Sequence, residues 1–564
     1  MHPESPTSRS RRCFGALALA ALATFTTACG TRPATAPAAA AAPPRLVVFI
    51  VVDGLPMRQV TGYRDQLAPD GFRRFLDRGT WFADAHQGHA FTVTAAGHAA
   101  MLTGAYPQRT GIIGNDWRDV ETGARVYNTG DGSAQYIGNR TGALDGTSPR
   151  NLKVKTVGDM LREARPAAKV IAISGKDRGA ILPAGQTGTA YMYMSQSGQF
   201  ASSTFYMPAH PAWVDTFNKA RPADRYFKAQ WLPALDDAAY ARSLTEAQPW
   251  FGVRGGRLPM TLGASDDAPG AVFYASLLRS PFVDQLSLDF ARAAIAGEAL
   301  GQDDVTDILA ISLSGHDYVN HAWSAESRLS HDHLLHLDRM LQDFFAHLDR
   351  TVGRDRYLAV LTADHGFTMP PELARLRGLD GGRALSREVL DRVNDSLEQT
   401  FGVPKLAAFF SASALVLDRK LLAAHKLDLD TVAEAARSAL LAEPVYAAAY
   451  TRRELLQQSR RGAPFFDQML LAWNAERSGD VQTAVKPYWL FSSAGAQHGT
   501  PHRDDTHVPI LFWGPAWLGS GQVEQRVEVV DIAPTLARLL QVSPPPTVQG
   551  KALPLPAPAP APTR

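Results

Sequence analysis

The chain has 564 residues, of which 45% are hydrophobic and 20% are charged. This is the composition of a globular protein with a large core, and it excludes a chain that is disordered over most of its length. The 57 Lys and Arg residues nearly balance the 55 Asp and Glu residues, which leaves a net charge of +2. We therefore do not expect nucleic acid as a bulk partner, and any recognition of anions must be local.

The first 29 residues have the pattern of an export signal. Arg9, Arg11 and Arg12 precede an apolar run at 14–25, which is too short to be a convincing membrane span. The string SRRCFG is similar to a twin-arginine signal, and a Sec signal is the alternative. We therefore expect a protein that is exported to the periplasm.

Cys29 ends this segment in the string TTACG, which resembles a bacterial lipobox. Thr26 stands where the usual lipobox has Leu, so simple cleavage nearby is the alternative to lipidation. We predict a signal peptide of the lipoprotein type at 1–29, which would attach the protein to a membrane through Cys29. The other cysteine is Cys13 inside the signal, so the mature protein would have no internal disulfide.

Two segments rich in Pro and Ala flank the body of the chain. We interpret residues 30–45 as a tether and residues 553–564 as a disordered tail, because neither composition can form a packed core. The stretch 46–552 shows no internal repeat and no long linker. It is predicted to be a single domain with inserted segments.

Short and nearly all-apolar runs within this domain predict buried strands. They lie at 46–52, 169–174, 307–314, 357–363 and 508–514. Continuous apolarity over such a length is typical of strands that are covered on both faces. Helical patterns such as 329–348 alternate with them, so we predict an α/β fold in which helices sandwich a mostly parallel central sheet.

Charged and imidazole side chains follow four of these runs. They are Asp53 after the first, Lys176 and Arg178 after the second, Asp317 and His321 after the third, and Asp364 and His365 after the fourth. Because the carboxyl ends of parallel strands meet at one edge of a sheet, we expect these side chains to lie close together.

Several of these residues have the side chains that Zn²⁺ accepts as ligands. With His498 in the string QHGTPH they make two sets of three: Asp53, Asp317, His321, Asp364, His365 and His498. A lone Asp usually forms a turn or a helix cap, and a lone His is more often structural. The adjacent Asp364 and His365 differ, because both would be costly at the end of a buried strand without a strong partner.

With these residues in place, the chain resembles the alkaline phosphatase superfamily, in particular its type I phosphodiesterase/nucleotide pyrophosphatase and phosphate-irrepressible alkaline phosphatase branches. Seven strings carry the resemblance, in family order: VVDG, FTVTAAGHAAMLTGAYPQRTGIIGN, SGKDR, DYVNH, TADHG, HGTPHRDDTHVPILFWG and VDIAPTLA. The resemblance implies a phosphoryl-transfer enzyme with two Zn²⁺ ions per chain. The insertions at 180–300 and 367–490 are candidates for cap segments over its site.

The resemblance also implies a role for each site residue. One zinc would be held by Asp317, His321 and His498, and the other by Asp53, Asp364, His365 and the hydroxyl of Thr94. The family places its nucleophile just before the segment AAGH, which selects Thr94 over Thr92 and Thr103 and implies a phosphothreonine intermediate. Asn115 would bind a phosphoryl oxygen, although Gly-Asn alone indicates only a turn.

Lys176 and Arg178 indicate the substrate class. Their pattern, S-x-K-x-R, resembles the monoesterase branch, in which both cations hold the terminal oxygens of a dianionic phosphate. The resemblance therefore implies an alkaline phosphatase-type hydrolase of small-molecule phosphate monoesters. A phosphodiesterase or nucleotide pyrophosphatase using the same metals is the alternative, and only these two cations speak against it.

Other classes fit the chain less well. A sulfatase needs Cys or Ser in the nucleophile segment, and a cofactor-independent phosphoglycerate mutase would use Ser and manganese. A non-catalytic phosphate-binding lipoprotein is disfavoured because all six ligands are present. Of the remaining histidines we expect His98 to be buried near the nucleophile, and His331, His333 and His336 to lie on a solvated helix surface.

Overall fold

The computed structural model describes residues 42–246, 248–252 and 256–558. The predicted signal peptide with Cys29 lies outside these residues, as does the predicted tether up to residue 41. Over the ranges that are described, no helix is both long enough and apolar enough to cross a bilayer.

Strands and helices alternate along most of the chain. The helices α1–α19 run, in chain order, over Met57–Gly62, Phe72–Arg78, Thr94–Thr103, Pro107–Thr110, Val157–Ala164, Asp177–Ala184, Ala212–Lys219, Ala271–Ser276, Pro281–Gly297, Gly315–Trp323, Arg328–Leu348, Pro371–Leu376, Ser386–Phe401, Arg419–Ala424, Leu429–Ala442, Arg452–Gln457, Phe466–Ala472, Arg503–Thr506 and Ile532–Leu539. The strands β1–β21 run over Leu46–Val52, Thr80–Phe82, Ala85–His86, Asp116–Arg118, Arg125–Tyr127, Val170–Ser174, Thr189–Met194, Gln199–Ala201, Gln230–Trp231, Met260–Thr261, Asp307–Leu313, Tyr357–Thr362, Gly382–Arg383, Ala407–Ser411, Ala414–Leu417, Tyr446–Thr451, Val481–Val485, Trp489–Leu490, Ile510–Trp513, Gly521–Val523 and Val527–Glu528.

The central sheet has nine strands in the order β20-β2-β19-β12-β1-β11-β6-β7-β8. The five neighbours from β12 to β7 are mutually parallel, whereas β19 runs antiparallel to β12 and β8 antiparallel to β7. This confirms the predicted fold class. All five apolar runs form strands of this sheet, and the last of them, VPILFWG, becomes the antiparallel β19.

The apolar composition of the central strands follows from their position. All seven residues of β1 and all seven of β11 are buried, because helices cover the sheet. Helices α6 and α9 both pack against β6 and β11. Full burial of one Val, Leu or Ile side chain contributes about 1.5–3 kcal/mol, so these strands form the main hydrophobic core.

The insertion between β12 and β19 has a sheet and a core of its own. Four of its strands pair in the order β14-β15-β17-β16. Helices α13 and α15 pack on each other and close a separate apolar cluster over this sheet. We call this unit the inserted subdomain; it corresponds to the second predicted insertion.

The disordered tail was predicted to begin at residue 553, which is too early because the chain contacts the domain as far as Pro556. Leu553 is buried, its backbone N–H donates to Thr535 Oγ1 over 2.8 Å, and its carbonyl accepts from Arg538. The carbonyl of Pro556 accepts from the backbone N–H of Gly519 over 2.9 Å. A buried Leu and these hydrogen bonds hold the chain against the domain as far as Pro556, which composition alone did not indicate.

Helix α11 matches the helix predicted at 329–348, but two of its three predicted surface histidines are buried. His331 is buried, stacks on the ring of Tyr63 at 3.6 Å and lies 2.7 Å from Ser243 Oγ. His333 is also buried, with Nε2 at 3.3 Å from Asp284 Oδ2. Residues from the first insertion cover this helix face, and helical periodicity cannot reveal such a cover.

Candidate active site

The carboxyl ends of the parallel strands bring the predicted site residues together. Asp53 directly follows β1, and Asp364 comes two residues after β12. Lys176 comes two residues after β6, and Asp317 lies in the first turn of α10, just after β11. Since these four strands are parallel neighbours, their ends form a single edge of the sheet, as predicted.

Close backbone packing fixes helix α3 against this edge. A Cβ on Gly97 would lie 2.2 Å from the carbonyl oxygen of Asp364, so only glycine allows this approach. Gly54 has φ +70°, and its N–H donates to Asp364 Oδ1 over 3.0 Å. His98 is buried as expected, and its Nδ1 donates to the carbonyl of Thr94 over 2.8 Å. These contacts hold Thr94 next to Asp364.

Three histidines of the site make the same kind of hydrogen bond to the backbone. Each donates from Nδ1 to a backbone carbonyl: His321 to Ala496 over 3.0 Å, His365 to Gly366 over 2.9 Å and His498 to Thr92 over 2.9 Å. Burial lowers the pKa of His365 and of His498, which favours the neutral ring. A neutral ring that donates from Nδ1 presents the lone pair of Nε2.

These Nε2 atoms face carboxylate oxygens rather than donors. His321 and His498 lie 3.4 and 3.7 Å from Asp317 Oδ1. His365 lies 3.6 Å from Asp53 Oδ1 and 3.4 Å from Asp364 Oδ2. Within the described part of the chain, Asp317 Oδ1 and Asp53 Oδ1 are buried without a hydrogen-bond partner, and Asp364 Oδ2 lies 3.2 Å from Nδ1 of His98.

Lone pairs that face one another at this range repel, whereas a divalent cation between them would bind both. The donor atoms of the predicted ligands therefore lie together as in a metal centre, although Asp53 and His365 group with Asp317, and Asp53 and Asp364 group with His98. The ligand atoms of Asp317, His321 and His498 lie within 4.8 Å of one another. The two groups adjoin, because Asp317 Oδ1 is 4.0 Å from Nε2 of His365. The residues present fit divalent metal ions.

Lys176 lies at the predicted edge of the sheet and forms ion pairs with two predicted metal ligands. Its Nζ lies 2.6 Å from Asp317 Oδ2 and 2.8 Å from Asp53 Oδ2, and all three side chains are buried. Burial alone would lower the pKa of Lys176, but the carboxylates of Asp317 and Asp53 raise it, so the ammonium stays charged. Burial and the charge of Asp364 raise the pKa of Asp53. The ammonium group thus neutralises predicted metal ligands.

The three threonines of the nucleophile segment have different surroundings. Thr94 is the first residue of α3, and its Oγ1 lies 3.5 Å from Nε2 of His365. Thr92 Oγ1 donates to the carbonyl of Thr500 over 2.9 Å, and Thr103 Oγ1 donates to Ala99 at the other end of the helix. Thr94 is therefore the hydroxyl that adjoins the carboxylate and imidazole cluster.

Asn115 caps the same helix. Its Oδ1 accepts from the backbone N–H of Ala95 over 2.9 Å, so the side chain satisfies one of the free donors of the first turn. The Nδ2 group of the same side chain is a hydrogen-bond donor. Asn115 thus lies beside Thr94, where a helix N-terminus also favours an anion.

Arg178 and Lys176 line one cavity of about 240 Å³, together with Tyr127 and Tyr318. The guanidinium of Arg178 donates to the hydroxyl of Tyr127 over 3.2 Å, and that hydroxyl donates to Asp177 over 2.7 Å. Sequence reasoning missed both tyrosines. Tyr318 follows Asp317 in the string DYVNH, whereas Tyr127 carries no comparable signal because its contact depends on the folded chain.

Comparisons with known proteins show the family of the chain. The family model for type I phosphodiesterase / nucleotide pyrophosphatase matches residues 47–507. The chain is 34% identical to alkaline phosphatase PafA of Elizabethkingia meningoseptica, covering 90% of this chain and 94% of that protein. It is 34% identical to alkaline phosphatase PhoV of Synechococcus elongatus, covering 90% and 92%.

A crystal structure of wild-type PafA superposes with a TM-score of 0.84, covering 91% of this chain and 99% of that one. Similarity of this extent includes the central sheet, the inserted subdomain and the edge that carries the site. The chain belongs to the type I phosphodiesterase/nucleotide pyrophosphatase family.

Proposed function

We propose that this protein is an alkaline phosphatase-type hydrolase of phosphate monoesters. One observation carries the proposal: two cations, Lys176 and Arg178, line a single cavity that adjoins the carboxylate and imidazole cluster beside Thr94. A dianionic phosphate presents terminal oxygens that two cations can hold together. Relatives that are named alkaline phosphatases support the same activity.

The side chains around Thr94 would position the phosphoryl group. The N-terminus of α3 offers free N–H donors, and Nδ2 of Asn115 adds a side-chain donor. Arg178 is held by Tyr127 and would donate to a terminal oxygen. Thr94 would attack phosphorus through Oγ1 and break the ester P–O bond, and the leaving alcohol oxygen would take up a proton in place of the one that the hydroxyl loses. Water would then hydrolyse the phosphothreonine intermediate to inorganic phosphate and the free hydroxyl of Thr94.

Metal ligands complete the proposed site. Asp53, Thr94, Asp364 and His365 would hold one zinc, and Asp317, His321 and His498 the other. When bound, two such ions supply Lewis-acid stabilisation of the charge on the attacking and leaving oxygens. The backbone carbonyls of Ala496, Gly366 and Thr92 fix the orientation of the three imidazoles, as outer partners of metal ligands commonly do.

A solved structure of a PafA variant supports the choice of the four residues placed around the phosphoryl group. Its description names substitutions of a threonine, an asparagine, a lysine and an arginine, in that order. Thr94, Asn115, Lys176 and Arg178 are the same residue types in the same order in this chain. Hydrolysis of diesters by the same site is the second candidate function, and the description of the matching family model favours it.

We also propose that the 46–552 domain acts after export to the periplasm, with Cys29 lipidated. The sequence of residues 1–29 supports this, and small phosphate esters would be its substrates there. Mass spectrometry of the mature N-terminus would show diacylated Cys29, whereas an unmodified N-terminus at or after this position would exclude the anchor.

Two measurements on the purified wild type test the proposed function. The first compares kcat/KM for phenyl phosphate and for methyl phenyl phosphate, and we expect the monoester to be hydrolysed faster. The second is elemental analysis, for which we expect about two zinc ions per chain, with activity lost to a chelator and restored by zinc. A faster diester reaction or full activity without metal would overturn the proposal.

A further inference from the structure

A second cavity, of about 220 Å³, opens beside His498, and we call it the aromatic pocket. Its walls come from the loop before α3, the inserted subdomain and the loop around His498. Five rings line it: Phe91, Phe410, Tyr446, Trp489 and Phe491. Among the residues that line it, none carries a Lys, Arg, Asp or Glu side chain.

The aromatic pocket is linked to the nucleophile through two stacked imidazoles. Thr94 Oγ1 is 3.5 Å from Nε2 of His365. The ring of His365 stacks on that of His498 with centroids 3.4 Å apart, and His498 lines the pocket. The aromatic pocket thus adjoins the site at His498, within reach of the alcohol part of a monoester whose phosphoryl group lies beside Thr94.

We propose that the aromatic pocket binds the leaving group, and that the preferred substrates are phosphate monoesters of neutral aromatic alcohols. This inference rests on the proposed monoester hydrolysis and adds a substrate class to it. The phosphoryl contacts alone accept any monoester, so selectivity for the alcohol must arise elsewhere. Rings lining a pocket favour an aromatic guest through offset or edge contacts.

The volume of the aromatic pocket and the absence of charged side chains among the described residues that line it limit the range of substrates further. An apolar cavity of about 150 Å³ accommodates benzene, so the aromatic pocket holds one ring with a small substituent. A carboxylate on that ring would enter a pocket without a Lys or Arg partner and lose its hydration. Neutral phenols fit these walls, whereas charged alcohols such as sugar acids do not.

Strand β14 supplies a test residue and its control. Phe410 and Phe409 are neighbours on this strand, so their side chains point to opposite faces of the sheet. Phe410 lines the aromatic pocket, whereas Phe409 lies outside it, with its ring 5.4 Å from the guanidinium carbon of Arg118. Phe409→Ala thus removes an equal side chain from the same strand at a position that does not line the aromatic pocket.

The experiment compares kcat/KM for phenyl phosphate and methyl phosphate in each variant, because the ratio of the two cancels effects on the phosphoryl group. We expect Phe410→Ala to lower the phenyl-to-methyl ratio roughly 3- to 10-fold and Phe409→Ala to leave it unchanged. Phe491→Ala should also lower the ratio, and its 37% exposure makes it a substitution that the fold tolerates.

The outcomes separate this inference from the function on which it rests. A lowered ratio in Phe410→Ala and Phe491→Ala, but not in Phe409→Ala, supports the aromatic pocket as the leaving-group site. Equal ratios in all variants of an active enzyme overturn the inference and leave monoester hydrolysis standing. A wild type that hydrolyses neither ester overturns the proposed function itself.

Discussion

The ammonium nitrogen of Lys176 lies 2.6 Å from Oδ2 of Asp317, a proposed zinc ligand. Both side chains are buried, and Asp53 completes the contact on the other side of the ammonium. An incomplete buried ion pair is strongly destabilising, so Lys176 stabilises a cluster that is otherwise rich in negative charge. The same carboxylates are therefore shared between a lysine and the proposed metals.

This contact predicts that Lys176 and zinc compete for the carboxylates of Asp317 and Asp53. Lys176→Met should bind zinc more tightly, by about tenfold for a change of ~1.4 kcal/mol, because a competing positive charge is removed. Competition with a chelator measures the affinity. Arg178→Met is the matched control, since its guanidinium contacts Tyr127 rather than the carboxylates of the cluster, and it should change zinc affinity less. Weaker zinc binding by Lys176→Met would contradict the prediction.

A second prediction concerns the nucleophile. Thr94→Ala should remain folded and bind zinc but lose nearly all activity, whereas Thr94→Ser should retain substantial activity because the hydroxyl is kept. Thr92→Ala is the control, since its hydroxyl is engaged with the carbonyl of Thr500. Steady-state rates with phenyl phosphate and zinc content measure both effects. An inactive Thr92→Ala variant and an active Thr94→Ala variant would show that the nucleophile was assigned to the wrong threonine.

Much of the fold could be predicted because buried parallel strands have a strong sequence signal. The run 46–52 is continuously apolar, and it forms the centre of the sheet with both faces covered. The direction of a strand carries no such signal, so the antiparallel β19 could not be foreseen from VPILFWG. The sheet of the inserted subdomain was also missed, because strands such as 414–417 and 481–485 pair over a long sequence distance.

The candidate site could be predicted as far as each residue follows a strand. Asp53 and Asp364 were found because parallel strands end at one edge. The ion pairs of Lys176 with Asp53 and Asp317 were not predicted, since the demand for positive charge arises only when several carboxylates meet. Phe410 was missed for a similar reason: nothing in its own segment indicates that the inserted subdomain packs near His498.

Tyr127 should act on phosphate binding through Arg178. Its hydroxyl accepts from the guanidinium and donates to Asp177, so Tyr127→Phe removes one anchor of that side chain. We expect kcat/KM for phenyl phosphate to fall about 3- to 10-fold, the loss of one hydrogen bond. In an Arg178→Ala background the same substitution should have little further effect. Additive losses would show that Tyr127 acts independently of Arg178.

Asp505 gives the protein a pH-dependent contribution to stability. Its Oδ2 accepts from the backbone N–H of Thr500 and its Oδ1 from Thr368, each over 2.8 Å. Burial raises the pKa of Asp505 to about 7. The folded state thus binds a proton that the unfolded state has already released above about pH 4. This contribution is fully present below pH 4 and is lost as the pH rises to about 7.

Asp505→Asn should remove this dependence, since the amide imitates the protonated carboxyl. Between pH 5 and pH 8 the free energy of unfolding of the wild type should fall relative to the variant by about 1–3 kcal/mol. Urea unfolding of both proteins at several pH values measures the difference in unfolding free energy. All other groups titrate in both proteins, so their contributions cancel in this difference. Parallel pH profiles would contradict a raised pKa of Asp505.

The two cations distinguish monoester from diester hydrolysis. Each charge-assisted hydrogen bond to a terminal phosphoryl oxygen contributes roughly 1.5–3 kcal/mol, so losing two costs about 3–6 kcal/mol. A diester carries one charge fewer and has an ester group in place of one terminal oxygen, so it gains little from the pair. Saturating zinc during the measurement separates this effect from any change in metal affinity.

The most direct measurement is therefore kcat/KM for phenyl phosphate and for methyl phenyl phosphate in the wild type and in Lys176→Ala/Arg178→Ala. For a monoesterase, the wild type is faster on the monoester, and the double variant loses on the order of 10² to 10⁴ in monoester kcat/KM and much less with the diester. An equal loss for both substrates, or a wild type that is faster on the diester, would contradict monoester hydrolysis as the main activity.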